Sequence, residues 1–260
     1  MNCTETSANS SPLPVQIIPI SGLPEIVAGQ NLARLIVDAL RAHKIVPSDS
    51  DVFVVAQKIV SKAEGQLVHL DSIQPSERAK AWAIEYHKDP RVIEIVLRQS
   101  SSIVRMERGV IVAKTHHGYI CANAGVDVSN TPPGTALLLP EDPDRTARAL
   151  HEELTRAFGV RIGVIISDTF GRPWREGHVN VALGVAGIAA LADYRGQRDA
   201  HGKTLQATVL AIADEMAAAS GLVMGKLNRT PVVIIRGIEQ FGASGTGRDL
   251  IRDPEKDLFR

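Results

Sequence analysis

Along the chain, apolar runs of strand length alternate with segments whose apolar residues recur at helical spacing. Residues 15–20 carry Val15, Ile17, Ile18 and Ile20 and read as a strand, closed by the turn formers Ser21-Gly22-Leu23-Pro24. Over 31–43, Leu32, Leu35, Ile36, Ala39 and Leu40 share one helical face, and Asn31 is placed to cap it. The polar turn Pro47-Ser48-Asp49-Ser50 leads into 51–56, a continuous apolar run of the kind covered on both sheet faces. Residues 76–98 predict helix with a break at Asp89-Pro90, and short strands are expected around Ile103, Ile111 and Tyr119. The clearest helix spans 142–158 and leads through Gly159 into a strand over 161–166. An Ala-rich helix is expected over 203–219 and a buried strand over 231–235. The pattern is that of an α+β protein, a mixed sheet with flanking helices, with a smaller subdomain within about 60–130.

Composition narrows the class. A chain of 260 residues buries roughly 70–75% of its unfolded surface, enough for a core without disulfides or structural metal. The balance of 29 Lys plus Arg against 29 Asp plus Glu leaves no overall basic field, so neither nucleic acid nor a membrane surface is an expected partner. The two cysteines, Cys3 and Cys121, form no disulfide framework or zinc motif, and a reducing cytoplasmic setting follows. Residues 1–13 are polar, lack the pattern of a secretory signal, and are expected to be a disordered tail before a domain over 14–260. The longest apolar stretch, residues 181–192, holds two glycines and falls short of the ~20 residues that span a bilayer.

Chemistry is sought where polar residues interrupt the pattern at strand ends. In Gly125-Val126-Asp127-Val128-Ser129-Asn130, Asp127 and Asn130 either place a metal ligand and a hydrogen-bonding group on one loop or close a local Asx-turn. In Ser167-Asp168-Thr169-Phe170-Gly171-Arg172-Pro173-Trp174-Arg175 a hydrophobic strand runs directly into an acid and a hydroxyl. These are hard oxygen ligands of the type Mg(II) or Mn(II) takes beside nucleotide phosphates, although Asp168 would equally cap a following helix. Lys58 and Lys62 follow the strand at 51–56 and are placed to meet an anion or to face solvent. The polar segment 193–202 suits a substrate loop or an ordinary surface loop. His116-His117 has no third ligand at zinc spacing, and the chain holds no P-loop, no G-x-G-x-x-G after a strand and no G-x-S-x-G elbow.

Taken together, Ser21-Gly22-Leu23-Pro24-Glu25-Ile26, Ser61-Lys62-Ala63-Glu64-Gly65, the 125–130 and 167–175 segments, Asp193-Tyr194-Arg195-Gly196 and Leu222-Val223-Met224-Gly225-Lys226 resemble the coenzyme F-420:L-glutamate ligase family. The resemblance runs from about Val15 to the C-terminal segments and corresponds to the stand-alone form, without the nitroreductase-like domain of many bacterial members. It implies an intertwined homodimer that uses GTP to add L-glutamate, through γ-linked amide bonds, to a deazaflavin coenzyme F-420 precursor by way of an acyl phosphate. It implies two Mg(II) or Mn(II) sites at Asp127, Asp168 and Thr169, and leaves open an assisting K(I). It implies GTP contacts at Leu23, Pro24, Glu25, Ile26, Gln57, Lys62 and Asn130, with more from residues 222–229 including Met224 and Gly225, and catalytic roles for Asp127, Asp168 and Lys62. Lys226 stands where archaeal members tend to carry an acid, and Arg172, Arg175 and Arg195 are the open choices for substrate carboxylates. A metal-dependent nucleotide phosphohydrolase and a non-catalytic deazaflavin or nucleotide binder remain as alternative functions.

Overall fold

A computed structural model describes residues 14–238 and 245–258. The expectation of a disordered tail over 1–13 lies outside the described residues. In chain order the elements are β1 (Gln16–Ile20), α1 (Leu32–Ala42), β2 (Asp51–Ala56), α2 (Gln57–Ala63), β3 (Leu67–His69), α3 (Glu77–Tyr86), α4 (Pro90–Arg98), β4 (Ser100–Glu107), β5 (Val110–Thr115) and β6 (Ile120–Ala122). They continue with β7 (Thr135–Leu137), α5 (Pro143–Phe158), β8 (Ile162–Arg172), β9 (Arg175–Ala186), β10 (Ala192–Asp193), β11 (Val209–Leu210), α6 (Ile212–Met224) and β12 (Val232–Arg236).

The main sheet runs β1-β12-β2-β8-β9 and is mixed, with β2 and β8 parallel and the other pairs antiparallel. Its central strands are apolar throughout because both faces are covered. On one face Phe53, Val164 and Ile166 pack with Ile36, Leu40 and Leu154 from α1 and α5. On the other, Val52, Val54 and Ile165 meet Ala213, Met216 and Ala217 of α6. The helices start where the sequence offers caps: the side chains of Asn31, Ser76, Asp89 and Asp142 each accept a backbone N–H of the following turn. Between β3 and β7 lie two small sheets, β3-β7 and β4-β5-β6, around a separate core that includes Leu70, Ile95, Ile111 and Ala136.

Two elements depart from the sequence expectation. The Ala-rich helix begins at Ile212, because Val209 and Leu210 are drawn into a ladder with β10, and it then runs through Gly221 to Met224. The strand predicted over 161–166 continues to Arg172 and turns into β9, so Asp168 lies within a long hairpin and caps no helix.

β9 is an edge strand with a register shift opposite Ile166 and Ser167. Edge strands present unpaired N–H groups, and here two carboxylates meet them: Ala182 N donates to Asp214 of α6 at 2.8 Å, and Val185 N donates to buried Asp144 of α5 at 2.9 Å. Gly184 lets α5 come this close, since a Cβ there would stand 2.3 Å from the Pro143 carbonyl oxygen. Across the sheet, fully buried Asp51 accepts both Arg236 Nε and Nη2, at 2.8 and 2.7 Å, tying β2 to β12. Removing one partner of a buried pair strands the other charge. Arg236→Met is expected to lower stability by about 3 kcal/mol in urea unfolding.

Candidate functional site

Where the β-strands of the main sheet give way to loops, a cavity of about 890 Å³ opens between the β1–α1 loop, α2, the β8–β9 hairpin and the end of α6. Leu23, Pro24, Glu25, Ile26, Gln57, Lys62, Asn130, Asp168, Thr169, Met224 and Gly225 all line it. Asp127 stands one layer behind, its Oδ2 2.7 Å from Nζ of Lys58, which does line the wall. Arg172, Arg175 and Arg195 are not part of the lining, and Arg195 is paired with Asp193; Arg229 is the arginine at the rim.

Each wall has a local cause. Ala56 ends β2 and α2 begins at once, which turns Gln57, Lys58 and Lys62 toward the opening. Gln57 is buried, and its Nε2 donates to Ser61 Oγ at 2.7 Å and to the Leu138 carbonyl at 3.1 Å, so its amide NH2 is committed to holding α2 against the chain just after β7. The Lys62 ammonium is bonded to the Glu25 carboxylate, joining α2 to the β1–α1 loop. On the far wall, Thr169 Oγ1 donates to Asn180 Oδ1 at 2.8 Å and accepts from Lys226 Nζ at 2.6 Å. Gly221 leaves room for Asn180, since a Cβ there would stand 3.4 Å from its Nδ2.

The two acids differ sharply. For Asp127, burial works against the charged form, but the bonds from Lys58 and from Ser129 N outweigh it and hold the carboxyl below its usual range. The bond from Ser129 N is the Asx-turn that the loop sequence allowed, and it coexists with the ion pair. Asp168 goes the other way. Burial pushes its carboxyl up to about 6, and the Asp127 charge adds to the effect, against the Thr169 backbone N–H, Lys226 and Lys58. Cys121 lies near enough to feel Asp168; burial first, then that charge, pushes the thiol up to about 12, so it is no nucleophile at neutral pH.

This donor set fits a hard cation. Two carboxylates and a threonine hydroxyl are oxygen ligands, and Mg(II) is commonly held by one or two carboxylates with waters and substrate phosphates completing the shell. Among the described residues no group of three or more His, Cys, Asp or Glu gathers at one point. His116 and His117 instead bond the carbonyls of Arg98, Pro140 and Glu141. Sequence reasoning missed His178 and Asn180, which also line the cavity. They lie on the polar half of β9, and only the hairpin register, Thr169 opposite Asn180 and Gly171 opposite His178, brings them to the site.

An acid and a hydroxyl of the β8–β9 hairpin, with several lysines around one cleft of a mixed sheet, define an enzyme-type site for anionic ligands. Comparison with known proteins gives the family. The model for F420-0:Gamma-glutamyl ligase matches residues 22–237. The "Coenzyme F420:L-glutamate ligase" of Methanopyrus kandleri is 45% identical over 251 residues, covering 95% of this chain and 98% of that protein. The protein of the same name from Methanothermobacter thermautotrophicus is 44% identical, covering 95% and 99%. That from Archaeoglobus fulgidus is 38% identical, covering 95% and 96%. The chain belongs to the F420-0:gamma-glutamyl ligase family.

The Asp168 environment has a measurable sign. A carboxyl raised from 3.8 to about 6 in the folded state favours folding while protonated, and that advantage is lost as pH rises from about 4 through about 6. In metal-free buffer at pH 7, Asp168→Asn is expected to be more stable than wild type by on the order of 2 kcal/mol. The gap should shrink toward pH 4 in thermal melts; a variant less stable than wild type at pH 7 would contradict the assignment.

Proposed function

We propose that this chain joins L-glutamate to a deazaflavin coenzyme F420 precursor through a γ-linked amide bond, at the expense of GTP. The observation that carries the reading is the convergence of Asp168, Thr169, Lys62 and the Lys58–Asp127 pair on one cavity, in a chain whose named relatives match it nearly end to end. A carboxylate does not acylate an amine in water. Transfer of the γ-phosphoryl group to it yields an acyl phosphate, which the glutamate amine attacks with release of phosphate.

Bound at sites held by Asp127, Asp168 and Thr169, two Mg(II) or Mn(II) ions would neutralise charge between phosphates and the acceptor carboxylate, with K(I) as an assisting ion. The side chains do the remaining work. Lys62 exchanges Glu25 for a phosphate oxygen as the nucleotide enters, and Leu23, Pro24 and Ile26 form the apolar wall beside it. Lys58 releases Asp127 in the same event, since its ammonium sits where that carboxylate must be bare to act as a ligand. Gln57 keeps α2, and with it both lysines, at a fixed distance from Asn130 and Asp168. Rim arginine Arg229, 3.9 Å from Glu25, is the nearest guanidinium for a substrate carboxylate. We read the location as cytoplasmic, where a reaction drawing on GTP and glutamate would find both.

We also read the functional unit as a homodimer. Support comes from the β8–β9 hairpin, which carries Trp174 81% exposed at its tip, and from the neighbouring arm that exposes Leu191, Val209 and Leu210. Among the described residues no helix is long and apolar enough to cross a membrane.

The test is mass spectrometry after incubation with GTP, Mn(II), L-glutamate and the coenzyme precursor. A glutamate-sized increment is expected, reduced about 100-fold or more in Asp127→Asn and Asp168→Asn. GTP hydrolysis without the increment would mark a phosphohydrolase, and binding without turnover a non-catalytic binder. Near-normal ligation in both variants would remove the two acids from the mechanism. Light scattering is expected to give the mass of two chains.

A further inference from the structure

Four buried side-chain polar atoms among the described residues have no hydrogen-bond partner: His117 Nδ1, Thr155 Oγ1, Ser167 Oγ and Arg172 Nε. Of these residues, Ser167 is the one that lines the cavity, and it is 3% exposed. Its strand neighbours explain why the hydroxyl is left alone. Ser167 is flanked by Ala56 on β2 and Ala182 on β9, neither of which offers a polar side chain. Thr169, two residues on and on the same face of β8, is instead met by both Asn180 and Lys226. The fold completes one hydroxyl of this pair and leaves the deeper one buried and unmet, on a residue of the cavity wall. Burying an unmet hydroxyl costs stability, and native proteins seldom carry one without a use.

We propose that Ser167 is a further nucleotide-contacting residue, its Oγ–H donating to a phosphoryl oxygen. The inference rests on the GTP reading above. Lys58, Lys62 and Lys226 line the same cavity and select for an anion, and a phosphoryl oxygen accepts but does not donate, so the serine serves as donor. A neutral hydroxyl here adds a bond to the anion without adding a charge beside Asp168.

The test compares wild type with Ser167→Ala by calorimetric titration of GTP in the presence of Mn(II), by competition with inorganic tripolyphosphate, and by ligand-free thermal melts. The variant is expected to bind both GTP and tripolyphosphate about tenfold more weakly, as for one lost hydrogen bond to a charged group. Its ligand-free Tm is expected to equal or exceed that of wild type, because an unmet buried hydroxyl has been removed. A fall in ligand-free Tm, or unchanged GTP affinity, would overturn the proposal, and would assign the hydroxyl to the fold or to a bound water. Weaker GTP binding with tripolyphosphate competition unchanged or absent would place the contact on the nucleoside and overturn the phosphate assignment. If the wild-type chain itself binds no GTP, the nucleotide reading falls and this inference with it; failure confined to Ser167→Ala leaves that reading standing.

Discussion

Two carboxylates held close together in a poorly solvated place repel each other and resist ionisation, and the site is arranged around that conflict. At Asp127 the conflict is resolved inside the protein, by Lys58 and the Ser129 backbone N–H. At Asp168 it is left open: burial and the neighbouring acid together outweigh the one backbone N–H and the more distant lysines. A position that penalises its own negative charge is one where an external cation brings a large gain. Asp168 is therefore the one of the two acids at which a bound cation would gain most, while Asp127 already has its counter-charge in Lys58.

Holding a carboxylate in such a place demands a stiff strand, and the rest of the sheet supplies one. β8 is paired with β2 in parallel up to Ser167, directly before Asp168, and with β9 antiparallel through Asp168 and beyond. The weak point is the irregular edge strand β9, and it is fixed by acids from both helical layers, Asp144 from α5 and Asp214 from α6. Asp144 also accepts Gly247 N at 2.7 Å, which brings the C-terminal segment onto the same anchor. Asp144 differs from Asp168 in the number of backbone donors aimed at it, two (Val185 and Gly247) against the single Thr169 N–H.

Much of this was legible in the sequence for a physical reason: periodicity and capping are local. The helices at Leu32–Ala42 and Pro143–Phe158, the buried run at Asp51–Ala56 and the break at Asp89-Pro90 all follow from residues a few positions apart. The strand-end acid and hydroxyl at Asp168 and Thr169 were visible too, as polar residues interrupting an apolar run. What stayed hidden depends on pairing between distant segments. The polar stretch Arg175–Asn180 carries no strand signal of its own and becomes strand only because β8 continues past the sheet to meet it. Residues 203–211 look helical by composition, but the ladder between Val209 and Asp193 takes them out of the helix. Gln57 reads as a polar group facing a ligand, yet its NH2 is spent on Leu138, 81 residues away.

The exact balance of acids and bases over the whole chain now has a local counterpart. Around the cavity the charges are largely matched in pairs, Lys62 with Glu25 and Lys58 with Asp127, while Lys226 is spent on a neutral hydroxyl. An anionic ligand entering such a site does not fall into a standing positive field; it must take lysines from partners they already have. The net attraction is then the difference between two bonded states and stays modest until a cation joins the acids that the lysines leave. Under the proposed function, binding of anion and cation would for that reason be coupled, each removing the competitor of the other. A neutral protein can in this way receive several anions at one place without a basic surface that would attract every other polyanion in its surroundings.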